Sequence, residues 1–114
     1  MTIRCVIVDD SERFRSSAQR LLTDQGIVVV ATASDSRQAL RAVEEEHPDV
    51  VLVDVGLGAE NGFELAARIR LSPVIMVSSL SPEDVIDMLA ESPAIGFLPK
   101  DQLSGYAICH LLES

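Results

Sequence analysis

Three aspartates, a lysine and a serine stand where apolar runs stop. Asp9 and Asp10 follow Ile3-Arg4-Cys5-Val6-Ile7-Val8, and Asp54 follows Val50-Val51-Leu52-Val53. Ser78 follows Val74-Ile75-Met76-Val77, and Lys100 comes just after Ala94-Ile95-Gly96-Phe97-Leu98. Each has an ordinary explanation alone: an Asp after a strand caps the next helix, a Ser turns the chain, a Lys is solvated. Together they resist it, because no helix start follows Asp54 for several residues and Lys100 is the only lysine beside eight arginines. Carboxylates gathered in one place raise one another's pKa unless positive charge sits among them. A hard divalent cation answers this, and Mg²⁺ suits it, taking a few carboxylates and keeping positions for water and phosphate oxygens. Carboxylate, Mg²⁺, amine and hydroxyl are also the parts needed to place a phosphoryl group on an aspartate. Metal and amine neutralise the phosphoryl oxygens, and the hydroxyl donates a hydrogen bond to one of them.

Such a meeting requires a scaffold that collects strand ends. The apolar runs, with Ile27-Val28-Val29-Val30-Ala31 as the second in order, are short, largely β-branched and continuous, as strands covered on both faces are. Helical patterns lie between them at about 12–25, 36–46, 62–70, 82–91 and 101–113. Gly26 closes the first helix, His47-Pro48 the second, and Ser81-Pro82-Glu83-Asp84 opens the fourth with a cap, a first-turn proline and first-turn acids. Strict alternation with right-handed crossovers predicts an α/β fold: one domain over 1–114, doubly wound, (βα)5, with a five-stranded parallel sheet of flavodoxin-like topology. Its ligand site belongs outside the carboxyl ends of the strands.

Composition narrows the partners. With 114 residues, a net charge of −9 and 47% apolar residues, the chain reads as one soluble domain that repels a phosphate backbone, so direct nucleic-acid binding is not expected. The uncharged stretch from Leu71 to Pro82 is too short and polar to span a bilayer, and no signal peptide is visible, which points to the cytoplasm. Cys5 and Cys109 lack metal-ligand spacing and read as buried hydrophobes; His47 and His110 read as loop and surface residues. The acidic run Glu44-Glu45-Glu46 reads as a solvated helix face.

The set Asp9-Asp10, Asp54, Ser78 and Lys100, in this order on a five-fold βα alternation, resembles the receiver domain of bacterial two-component response regulators. The resemblance covers essentially the whole chain. It implies that Asp54 accepts a phosphoryl group from a phosphohistidine on a sensor histidine kinase or phosphotransfer protein. It implies further that Asp10 binds Mg²⁺ directly, Asp9 largely through water, and the Gly56 carbonyl completes the protein ligands. Ser78 and Lys100 would read phosphorylation, with Lys100 paired to Asp54 beforehand and Phe97 as the switch aromatic. The output would leave through helix four, strand five and helix five.

Departures from the family pattern carry expectations too. Gly58 replaces the usual proline four residues after the phosphoacceptor and should loosen the loop from Val55 to Gly62; Asp101 replaces the proline after the lysine. The stretch from Arg68 to Val74 is short, so the third helix should be clipped. Leu103, Tyr106, Ala107, Ile108, Leu111 and Leu112 make a stripe wider than one buried face needs, which suggests a homodimer through helix five. The alternative output is a longer helix-turn-helix transcriptional regulator of which this is the receiver portion. A haloacid-dehalogenase-like phosphatase would need an acid where Gly56 stands, and a flavodoxin-like redox protein would need a phosphate loop where Asp9-Asp10 stand.

Overall fold

Residues 2–113 are described by a computed structural model; Met1 and Ser114, the ends of the expected domain, lie outside the described residues. The strands are β1 (Arg4–Val8), β2 (Val28–Ala33), β3 (Val50–Asp54), β4 (Val74–Ser78) and β5 (Gly96–Pro99). The helices are α1 (Glu12–Asp24), α2 (Ser36–Glu46), α3 (Gly62–Arg68), α4 (Pro82–Ala90) and α5 (Gly105–Glu113). The strands form one parallel sheet in the order β2-β1-β3-β4-β5, the doubly wound architecture expected from the alternation.

Successive strand residues point to opposite faces, so each central strand feeds two cores. Cys5, Ile7, Val50, Leu52, Ile75 and Val77 pack with Ala18 and Leu22 of α1 and Ile108 of α5. Val6, Val8, Val51, Val53 and Met76 pack on the other face with Ala39 and Val43 of α2, Leu65 and Ala66 of α3, and Val85 of α4. This two-sided burial explains why the apolar runs are continuous.

Helix starts follow their caps. The Ser11 hydroxyl accepts the Phe14 amide, Asp35 accepts the Gln38 amide and Asn61 accepts the Phe63 amide. His47, at φ 48°, terminates α2 in the left-handed region. At α4 the position of Ser81 is as read but its role differs: the hydroxyl donates to Asp84 Oδ2 at 2.9 Å and makes no cap bond.

Four boundaries and contacts depart from the sequence reading. β2 runs to Ala33 because Thr32 and Ala33 stay in register with Ile7 and Val8; the polar Thr32 had ended the apolar run. The last helix does not begin at 101. A 3-10 turn spans Lys100–Gln102, Leu103 is extended, and α5 starts where the Ser104 hydroxyl accepts the Ala107 amide and the Gln25 carboxamide accepts the Gly105 amide. The loop after Asp54 carries regular structure that no apolar pattern announced. Gly56–Leu57 and Glu60–Asn61 pair as a short antiparallel hairpin, with Gly58 at φ +60° making the turn and Glu60 Oε1 accepting the Ser36 amide at 2.8 Å. Glu46 is not simply solvated, since Arg4 Nη2 lies 3.1 Å from its Oε1. α3 is short as expected, ending at Arg68 where Ile69 turns extended and into the core at 6% exposure.

The hairpin brings Gly62 against the end of β3. A Cβ there would collide with the Asp54 carbonyl oxygen, whereas one on Gly56 would meet nothing within 4 Å. Gly62→Ala is therefore expected to lower the unfolding free energy by about 2–3 kcal/mol, the cost of forcing backbone apart, and Gly56→Ala to change it by less than about 0.5 kcal/mol. Urea denaturation of the two variants checks this; equal midpoints would show that the close approach constrains nothing.

Candidate functional site

Four of the five strands deliver a polar residue to one edge of the sheet. Asp9 extends β1, its amide donating to the Ala33 carbonyl at 3.0 Å, and Asp10 follows at the start of the turn into α1. Asp54 is the last residue of β3 and pairs with Val77 of β4, one residue before Ser78. Ser78 in turn pairs with Pro99 of β5, which Lys100 follows. Residues spread over ninety positions of the chain thus converge because a parallel sheet puts all its carboxyl ends on one side.

Asp9 is fully buried, Asp54 and Ser78 are buried, and Asp10 is exposed. One carboxylate oxygen from each of Asp9, Asp10 and Asp54 lies within 4.8 Å of the other two. Asp9 Oδ1 accepts the Ser11 amide at 2.8 Å. Asp9 Oδ2 has the Lys100 ammonium 2.7 Å away, yet no donor is aimed at it with hydrogen-bond geometry. Lys100 also lies 3.6 Å from Asp54 Oδ2. The expected Lys100–Asp54 pair is therefore the longer of two contacts, and Asp9 is the nearer partner because its buried oxygen has nothing better. The Ser78 hydroxyl accepts the Leu80 amide at 2.9 Å, which leaves its own proton for another acceptor. Phe97 is half-buried beside Met76 and packs toward the core under α2, α3 and α4.

The electrostatics follow from this crowding. Burial pushes the Asp54 carboxyl up from 3.8 to about 6; the Asp9 charge adds to the rise and Asp10 adds less, while Lys100 and a backbone hydrogen bond from Gly56 oppose it. An all-oxygen donor set with one buried, poorly satisfied carboxylate oxygen fits a hard divalent cation. The carboxylates able to hold one are Asp9, Asp10 and Asp54, with the exposed hairpin residue Gly56 beside them.

Several residues at the site were not singled out in the sequence. Arg15 donates from Nη1 to the Asp9 carbonyl at 2.7 Å, and the Phe14 ring lies 4.4 Å from Lys100 Nζ. Gly62 and Glu60 hold the hairpin in place. A signal existed for Phe14 and Arg15, which lie one helical turn after the Ser11 cap, but nothing in a linear pattern says which way that turn faces.

Elsewhere, burial pushes the Cys5 thiol up to about 12, leaving it an inert core group, and Cys109 is unbridged and half-buried. His110 stacks on Tyr106 with ring centroids 6.2 Å apart. The α5 stripe is mostly used within the fold: Leu103 and Ile108 are buried and Ala107, Leu111 and Leu112 half-buried, leaving Tyr106 at 81% exposure. More open apolar surface lies on α4, at Ile86 and Met88. Among the described residues no helix is long and apolar enough to cross a membrane.

The raised Asp54 pKa has a signed consequence. A carboxyl with a folded pKa near 6 against 3.8 unfolded contributes most to stability below pH 4 and loses that contribution as pH rises through 6. In metal-free buffer at pH 7.5, Asp54→Asn is expected to be about 2 kcal/mol more stable than the parent, with the gap closing toward pH 4. Denaturation curves at both pH values check it, and a variant no more stable than the parent at pH 7.5 contradicts it.

Comparison with known proteins places this geometry. The response regulator receiver domain family matches residues 5–109. Among curated proteins, a protein-glutamate methylesterase/protein-glutamine glutaminase of Haloarcula marismortui is 40% identical over 103 residues, covering 86% of this chain but only 28% of that protein. The transcriptional regulatory protein PdtaR of Mycobacterium tuberculosis is 26% identical over 100 residues, 85% of this chain and 49% of that protein. The chain thus spans less than half the length of either relative. Among solved structures, the receiver domain of NarL from Mycobacterium tuberculosis superposes with a TM-score of 0.84 at 29% identity, covering 99% of this chain and 98% of that one. The response regulator domain of Thermotoga maritima CheB gives 0.75 at 30% identity, covering 99% and 90%. With the family matched over residues 5–109, nearly the whole of this chain, the chain belongs to the response regulator receiver domains of two-component signalling.

Proposed function

We propose that Asp54 is the phosphoacceptor of this receiver domain, that the domain occupies residues 1–114, and that Mg²⁺ is held by Asp10 directly, Asp9 largely through water, Asp54 and the Gly56 carbonyl. The observation that carries this reading is the trio of carboxylates within 4.8 Å, one of them with a buried oxygen whose charge is met only by the Lys100 ammonium. An Asp54 carboxylate oxygen attacks phosphorus, the new P–O bond forms as the P–N bond to the donor histidine breaks, and the imidazole leaves with the electron pair. Bound Mg²⁺ supplies positive charge to the phosphoryl oxygens. Lys100 turns from Asp9 toward a phosphoryl oxygen, a short movement since both carboxylates already lie within 4 Å of its ammonium. The Ser78 hydroxyl donates a hydrogen bond to another phosphoryl oxygen while its oxygen keeps accepting from the Leu80 amide. Ser78 moving inward vacates room into which Phe97 turns, and an aromatic rotamer coupled to a hydroxyl is the bistable element.

Receiver domains work with histidine kinases or phosphotransfer proteins, and we assign the donor role to such a partner. The output surface is α4, β5 and α5, read by protein, with a homodimer through the Tyr106 side of α5 as its simplest form; the −9 charge opposes nucleic acid as the direct partner. The second reading, a receiver that controls a further domain, draws support from curated relatives of which the matched segment is only 28% and 49%.

Acetyl phosphate with Mg²⁺ is expected to add one phosphoryl mass to the parent chain, none in excess chelator and none to Asp54→Asn. Lys100→Arg is expected to fold but to show no beryllofluoride-induced amide shifts in β4 and α4, because a planar fork does not replace a compact ammonium. An adduct persisting in Asp54→Asn overturns the phosphoacceptor assignment. Light scattering reads the dimer: the mass should rise with beryllofluoride, and a monomer in both states with unmoved α5 resonances rejects that interface.

A further inference from the structure

The Lys100 ammonium touches three groups, and only two of them are carboxylates. Asp9 Oδ2 lies at 2.7 Å, Asp54 Oδ2 at 3.6 Å, and the centroid of the Phe14 ring at 4.4 Å. At that distance a ring face attracts a cation through its quadrupole. The residue is held at backbone and side chain: the Phe14 backbone amide donates to the Ser11 hydroxyl, the Ser11 amide donates to Asp9, and the ring packs against the core under α1 and α5. Phe14 is therefore fixed to the same turn that carries the acid pair.

We propose that Phe14 is a positioning residue for phosphoryl transfer, its ring confining the Lys100 ammonium so that it can exchange Asp9 for a phosphoryl oxygen on Asp54. A carboxylate or amide at residue 14 would accept a hydrogen bond from the ammonium and compete with the phosphoryl group. A ring face accepts none in a fixed direction, so the three N–H donors can turn while the cation stays in place. The side chain of Lys100 is 22% exposed, and without the ring its flexible stem would be restrained only by the two carboxylates. The ordinary alternative is that Phe14 only fills space, and the test must separate the two. The proposal rests on Asp54 being the phosphoacceptor.

The test compares the parent chain, Phe14→Leu, which keeps apolar bulk without a π face, and Phe14→Tyr, which keeps the ring. Because Lys100 is the only lysine, labelling with ¹³C-lysine gives a single ε-methylene signal. That signal is expected to be ring-shifted upfield in the parent and in Phe14→Tyr, and to move to the position of a free lysine in Phe14→Leu. Acetyl phosphate should modify Phe14→Leu about 3- to 10-fold more slowly than the parent at saturating Mg²⁺, with Phe14→Tyr within twofold of the parent. Mg²⁺ affinity, measured by calorimetry, should agree within twofold in all three. A parent-like rate in Phe14→Leu, an equal loss in Phe14→Tyr, or a fall in Mg²⁺ affinity matching the fall in rate overturns the proposal. A parent chain that takes no phosphoryl group overturns the phosphoacceptor reading and this inference with it, whereas normal phosphorylation of an unaffected Phe14→Leu overturns this inference alone.

Discussion

One constraint organises this molecule: carboxylates gathered at the edge of an apolar sheet, with one ammonium to compensate them. A buried, unpaired carboxylate costs several kcal/mol, so Asp9 at full burial and Asp54 at 6% exposure are tolerable only where Lys100 reaches both. Burial, with the Asp9 charge behind it, outweighs what Lys100 supplies, and the Asp54 carboxyl is pushed up to about 6 rather than down. Positive charge brought to this edge would lower it.

The same constraint gives the sheet its register. Both faces of β1, β3 and β4 are apolar, so the alternation of side chains would survive a slip by one residue. The acids would not: a shifted β3 would carry Asp54 into a core lined by valine and leucine. The charged strand ends thus hold the pairing that the apolar residues drive. Around them the connections are tied to the site, through the Glu60 carboxylate on the Ser36 amide and the bare Gly62 backbone against Asp54.

Legibility in the sequence divided along the range of the interactions. The five strands and five helices were readable because continuous apolar runs, helical periods and caps such as Ser11, Asp35 and Asn61 are local signals. The convergence of Asp9, Asp10, Asp54, Ser78 and Lys100 on one edge was readable because topology alone moves strand ends together. What was not readable depended on side chains meeting across the fold. The start of α5 is held by Gln25, eighty residues earlier, and Lys100 lies nearer the fully buried Asp9 than Asp54. The hairpin after Asp54 was not readable either, since a left-handed Gly58 makes its tight turn without any apolar alternation to announce it.

The thin anchoring of α4 has an energetic consequence. Of its nine residues only Val85 is fully buried, its first residues have no side-chain cap, and its last turn carries no basic group. Helices held this weakly open locally at free energies well below that of global unfolding, whereas elements like β3, buried along its whole length, open only with the whole molecule. The difference sets a hierarchy of compliance within one small domain. A perturbation at the carboxylate edge meets a rigid wall toward β1 and β3 and a soft one toward α4, so the direction in which the fold yields is decided by uneven packing before any ligand arrives.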